Sequence, residues 1–67
     1  METFAERLKE LRKEKNLSQT QLAKATGLSH TAIVYYETAK RIPNANAIII
    51  LAKFFNVTTD YLLGATE

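Results

Sequence analysis

The segment from Ser18 to Ser29 limits the fold of this chain more than any other feature. Ser18-Gln19-Thr20-Gln21 has the form of a capping box. A hydroxyl at the N-cap and an amide side chain three residues later satisfy two otherwise unpaired amides at a helix start. Leu17 and Leu22 occupy the staple positions on either side. Gly27 follows Thr26 and offers the left-handed turn that ends a helix, and Ser29 caps the next one. The spacing predicts helices over about 19–26 and 30–38 with about three residues between them, the sequence form of a helix-turn-helix. Leu22, Ala23, Leu28, Ile33 and Tyr36 are the apolar residues that fix the crossing. Ala23 is small where the helices approach, and Leu28 plugs the gap beneath the turn.

The remainder of the chain has the same helical period. Thr3-Phe4-Ala5-Glu6 is a further capping box, and Phe4, Leu8 and Leu11 share one face of a helix over about 3–15. Its other faces carry Glu6, Arg7, Lys9, Glu10, Lys13 and Glu14, which are expected to be solvated and paired at i,i+3 and i,i+4. Lys40-Arg41-Ile42-Pro43 is a loop, because Pro43 biases Ile42 away from helical geometry. Asn44 caps a helix over about 45–55 whose core face is Ile48, Leu51, Ala52 and Phe55. Asn56 ends it, Val57 enters the core, and Thr58 and Gly64 bound a last helix over about 59–63. The expectation is an all-α, five-helix bundle forming a single domain over residues 1–67.

Composition agrees with one small core. The chain has 67 residues, 46% of them hydrophobic, with two glycines and one proline. There is no Cys, which excludes a disulfide staple and a thiolate metal site and fits the reducing cytoplasm. Packing alone must therefore hold a domain of this size, which leaves only about 3–5 kcal/mol in hand. The apolar run from Ala47 to Ala52 is far short of the roughly 20 residues that span a bilayer. Met1-Glu2-Thr3 lacks the basic and apolar regions of a signal peptide. A cytoplasmic location is expected.

Catalysis finds little support. His30 is the only His and Asp60 the only Asp, and Ser18 and Ser29 are explained as caps. No glycine-rich phosphate loop or metal-ligand spacing is present, so neither metal, cofactor nor small-molecule ligand is expected. The third helix is unusual. Ile33, Tyr36 and Glu37 lie on one side, and His30, Thr31, Val34 and Tyr35 on another. No residue of this helix before Glu37 bears a full charge, whereas a merely solvated face recruits Lys or Glu. An imidazole, a hydroxyl, a branched aliphatic and a phenol can hydrogen-bond base edges and touch thymine methyls in a major groove. The same set also fits a protein contact or a plain surface, and local composition does not separate these readings.

The series Ser18-Gln19-Thr20-Gln21-Leu22-Ala23, Gly27-Leu28-Ser29, Ile33 and Tyr36-Glu37 resembles the helix-turn-helix of phage repressor and Cro proteins and their bacterial relatives. The likeness runs from Arg7-Leu8-Lys9-Glu10-Leu11-Arg12 to Asn56-Val57-Thr58-Thr59-Asp60-Tyr61-Leu62-Leu63-Gly64. It implies a lambda repressor-like domain of a bacterial or phage-encoded, nucleoid-associated protein whose partner is double-stranded DNA. His30, Thr31 and Tyr35 match base-reading positions, with Val34 beside them. Gln19 matches a residue that clamps a phosphate at a helix N-terminus, and Ser29 falls at a backbone-positioning site. Thr38, Lys40 and Arg41 match the loop that grips the same half-site. Arg12 and Glu37 match a partly buried salt bridge that orients the third helix.

Two departures stand out. Relatives often carry Asn-Gly after the glutamate, where this chain has Thr38-Ala39; a left-handed Ala39 would cost roughly 1 kcal/mol. Ile49, Ile50 and Phe54 form a second apolar stripe beside the core stripe, either a few exposed hydrophobic residues or extra core, or else a two-fold dimer contact. A homodimer would present its reading helices about 34 Å apart to a palindromic operator. Net charge is only +2, but between Asn16 and Lys53 four bases face the single acid Glu37. The implied function is a sequence-specific transcription regulator of repressor type. The alternative on the same fold is a protein-interaction module, an antitoxin or a bridging coactivator.

Overall fold

Caps and turns set where each helix begins and ends. A computed structural model describes residues 4–65, and five α-helices occur among them. They are α1 (Phe4–Glu14), α2 (Gln19–Thr26), α3 (His30–Glu37), α4 (Ala45–Phe55) and α5 (Thr59–Leu63). The expected capping box at Thr3 lies outside the described residues. At α2 the box forms in full: Ser18 Oγ accepts from the Gln21 amide at 3.0 Å, and Gln21 Oε1 accepts from the Ser18 amide at 2.8 Å. Ser29, Asn44 and Thr58 cap α3, α4 and α5 in the same way, each accepting from the amide three residues on.

The helix ends rely on residues in the left-handed region. Gly27, at φ 78°, ends α2 through a bond from its amide to the Ala23 carbonyl at 2.9 Å. Space does not demand glycine there, since an added Cβ meets no atom within 4 Å; the dihedral does. The other four ends are Schellman turns, at Asn16, Ala39, Asn56 and Gly64. At Ala39 the amide bonds the Tyr36 carbonyl at 3.3 Å and the following Lys40 amide bonds the Tyr35 carbonyl at 2.9 Å. This turn stops α3 at Glu37, one residue before the spacing predicts, with Thr38 at φ −100° leading out.

One fully buried side chain from each helix meets at the centre: Leu8, Leu22, Ile33, Leu51 and Leu62. Each stabilises the fold by about 2 kcal/mol relative to exposure, a large share of what so small a domain holds. Phe4 packs edge-on against Tyr36, with ring centroids 5.7 Å apart, and so joins α1 to α3. Leu11, Leu17, Leu28 and Val57 are half-buried and close the periphery of this core. The Arg7 guanidinium bonds the Tyr61 carbonyl at 2.6 Å and lies 4.3 Å from the centre of its ring, clamping α5 to α1. Among the described residues no helix is long and apolar enough to cross a membrane.

Ala39 is thus left-handed, at φ 61°, and the turn expected of an Asn-Gly pair forms without the glycine. The conformation costs an L-residue about 1–2 kcal/mol, of which glycine's greater unfolded-state freedom would return about half. Ala39→Gly is therefore expected to stabilise the domain by about 0.5–1 kcal/mol, seen as a rise of several degrees in thermal midpoint. An unchanged or lower midpoint would show that Ala39 bears no such strain.

Candidate nucleic-acid interface

Three helices converge on the carboxylate of Glu37. Arg12, in the last turn of α1, donates from Nε to Oε2 at 2.6 Å and from Nη2 to Oε1 at 2.9 Å. Gln19, the first residue of α2, donates from Nε2 to Oε1 at 3.1 Å. The Glu37 side chain is only 1% exposed and that of Arg12 12%. The hydrogen bond to Glu37 raises the Arg12 pKa; burial opposes the shift and the charge of Glu37 adds to it. Arg12 Nη1 also donates to the Leu17 carbonyl at 2.8 Å, fixing the turn between α1 and α2. Among the described residues no buried side-chain nitrogen or oxygen lacks a partner.

This network locks the amino end of α2 to the carboxyl end of α3. Gln19 uses one amide proton on Glu37 and keeps the other, at a helix N-terminus where unpaired backbone amides favour anions. Ser29 Oγ accepts from the Ala32 amide at 3.0 Å, which leaves its own proton to donate outward. His30, Thr31 and Tyr35 stand exposed along α3, with Val34 half-buried beside them. The buried side of the same helix is Ala32, Ile33, Tyr36 and Glu37. Lys40 and Arg41 are exposed in the loop that follows. Thr38 differs from the expected backbone contact in one respect. Its hydroxyl donates to the Val34 carbonyl at 2.8 Å and its amide to the same carbonyl at 3.0 Å, so both donors are engaged within the helix end.

The helix-turn-helix family model matches residues 8–62, the span that holds this network and both helices of the motif. The chain belongs to the helix-turn-helix family. It is 45% identical over 64 residues to the HTH-type transcriptional activator BcrR of Enterococcus faecalis, covering 96% of this chain and 31% of BcrR. Control protein C.SmaI of Serratia marcescens is 40% identical over 62 residues, covering 92% of this chain and 74% of C.SmaI. Repressor protein C2 of Salmonella phage P22 is 33% identical over 60 residues, covering 90% of this chain and 28% of the repressor. A crystal structure of that repressor with a synthetic operator superposes at a TM-score of 0.90, with 30% identity, 98% of this chain and 100% of that chain. The all-α bundle expected from the helical spacing, and the repressor-like fold implied by the resemblance, are what is observed.

The resemblance implies a phosphate contact for Gln19, and no local signal in the sequence marks its bond to Glu37. None marks the placement of Arg41 over Tyr35 either, with the guanidinium carbon 5.1 Å from the ring centre. The second apolar stripe is only partly open. Ile49 is exposed, whereas Ile50 and Phe54 are half-buried. The Phe54 ring packs edge-on against Phe55 at 5.0 Å, and the Lys15 ammonium lies 5.8 Å from its centre. Ile42 is the most exposed large hydrophobic residue, at 89%. It borders an apolar cleft of about 240 Å³ shared with Phe4, Tyr36 and Leu63.

Removing Arg12 would strand a buried carboxylate. Arg12→Ala is expected to cost about 3–5 kcal/mol, close to the whole stability of the domain. Arg12→Met combined with Glu37→Met removes both charges and should recover most of that loss. Urea unfolding of the three proteins checks this. A loss under about 1 kcal/mol for Arg12→Ala would mean that solvent, not Arg12, satisfies Glu37.

Proposed function

We propose that this chain binds double-stranded DNA sequence-specifically and acts as a transcription regulator of repressor type. The observation that carries the proposal is the outer face of α3. Its side chains hydrogen-bond or make apolar contact without formal charge, and a cationic loop follows it. In this reading α3 enters the major groove, and His30, Thr31, Val34 and Tyr35 face the base edges. Gln19, Ser29, Lys40 and Arg41 hold phosphates of the same half-site, with Thr38 joining only if its hydroxyl releases Val34. The solved complex of the P22 repressor with operator DNA, on the same fold, supports the assignment. Occupancy of a promoter excludes polymerase, which gives repression; BcrR, an activator, shows that the fold serves the other sign as well.

Two copies on a palindromic operator are part of the proposal. Exposed Ile49, with half-buried Ile50 and Phe54 on the same helix, is the contact assigned to that pairing. The location that suits such a regulator is the cytoplasm.

Selection of bound sequences from a random duplex pool tests DNA binding, base preference and palindromy together. Tyr35→Ala is expected to change the preferred sequence. Lys40→Ala is expected to weaken all sequences alike and lower the slope of log affinity against log salt by about 0.9. Uniform losses from both variants would remove Tyr35 from the reading face. Binding that shows no preference and vanishes at moderate salt would remove the specific-regulator reading.

A further inference from the structure

Arg41 does more than its place in a basic loop requires. The left-handed Ala39 turns the chain back so that the Lys40 amide bonds the Tyr35 carbonyl at 2.9 Å. Position 41 is thereby delivered beside the side chain of Tyr35, and the Arg41 guanidinium carbon lies over the ring, 5.1 Å from its centre. That is within the roughly 6 Å over which a cation is held by a ring face. Arg41 also lines the apolar cleft with Phe4, Tyr36 and Ile42, so its stem has a second surface to lie on. The Tyr35 ring needs such a constraint. It is 37% exposed, and an exposed ring loses side-chain freedom when it is ordered on a ligand. A guanidinium over a ring has five N–H donors, enough to reach a phosphate as well, and its planar fork is not reproduced by an ammonium on a flexible stem.

We propose that Arg41 is a positioning residue for Tyr35. Stacked on the ring and held by a backbone phosphate, it sets the direction in which the phenol meets the bases. Base preference at the Tyr35 position then depends on a loop residue that itself touches no base. This rests on the assignment of Tyr35 to the reading face.

The test runs the same selection on the full chain with Arg41→Lys, Tyr35→Ala and the double variant, alongside affinity measured against salt on the preferred duplex. Arg41→Lys keeps the charge and loses the planar guanidinium. It is expected to hold the salt slope while lowering preference about threefold at the base pairs whose preference Tyr35→Ala erases. In the Tyr35→Ala background, Arg41→Lys should leave the preference unchanged. Preference at those base pairs that Arg41→Lys leaves undiminished would overturn the proposal and leave the reading face standing. So would an equal fall in preference at base pairs that Tyr35→Ala does not affect. If Tyr35→Ala erases no preference at any base pair, the reading face and the positioning role fall together.

Discussion

The buried carboxylate of Glu37 is the constraint on which the arrangement depends. A carboxylate at 1% exposure is tolerated only when its lone pairs are filled, and here two arginine nitrogens and one glutamine nitrogen fill them. The donors come from α1 and α2, and the acceptor from α3. One ionic group thus ties three helices together, beside the apolar contacts of the core that also join them. A well-packed hydrophobic pair could match its stability, so its distinctive contribution is geometric. It holds Gln19 at the amino end of α2 beside the carboxyl end of α3, where the proposed phosphate and base contacts must share one register.

Helix ends carry the rest of the geometry. Helices this short are marginal in isolation, so their ends must be satisfied and their faces buried for them to persist. Each N-cap from Ser18 onward does this with a side-chain oxygen, and each C-terminus with a left-handed residue. Asparagine or glycine stands at four of these ends, as their tolerance of positive φ leads one to expect. Ala39 is the exception, and it sits where the proposed reading helix meets the proposed phosphate-gripping loop. Strain at that joint is tolerated because the two hydrogen bonds of the turn and the stacking of Arg41 on Tyr35 hold it from both sides.

These same features explain what could be read from the chain in advance. Caps, glycines and the 3,4 spacing of apolar residues are local, so the helices and the turn between α2 and α3 were legible from residue order. The Arg12–Glu37 pair was legible only through resemblance, because 25 residues separate its members and nothing local links them. Contacts made through tertiary placement were not legible. The bond from Gln19 to Glu37 depends on the crossing of α2 and α3. The stack of Arg41 on Tyr35 depends on Ala39 accepting a conformation that alanine rarely takes. Apolar spacing placed Ile50 and Phe54 on a second stripe, yet spacing cannot say how far neighbouring rings and stems cover it. Conversely, Ile42 is isolated in sequence beside Pro43 and gave no periodic signal, although it is the most exposed large hydrophobic residue in the fold.

Charge and shape divide the proposed work unequally. Each phosphate neutralised contributes sequence-independent affinity that salt removes, and the loop after α3 offers only Lys40 and Arg41 for that purpose. So small a cationic footprint makes binding of one copy to arbitrary DNA weak. Discrimination must then arise at the uncharged face of α3, whose His, Thr, Val and Tyr side chains offer single hydrogen bonds and methyl contacts rather than the stronger bidentate pairings of Arg or Asn. One half-site supplies few of these contacts. Two copies on a palindrome double them, and the second binds at the high effective concentration set by the first. A weakly charged domain with one short reading helix is therefore better suited to acting in pairs than alone, and the proposed contact through Ile49 is the apolar surface assigned to that pairing.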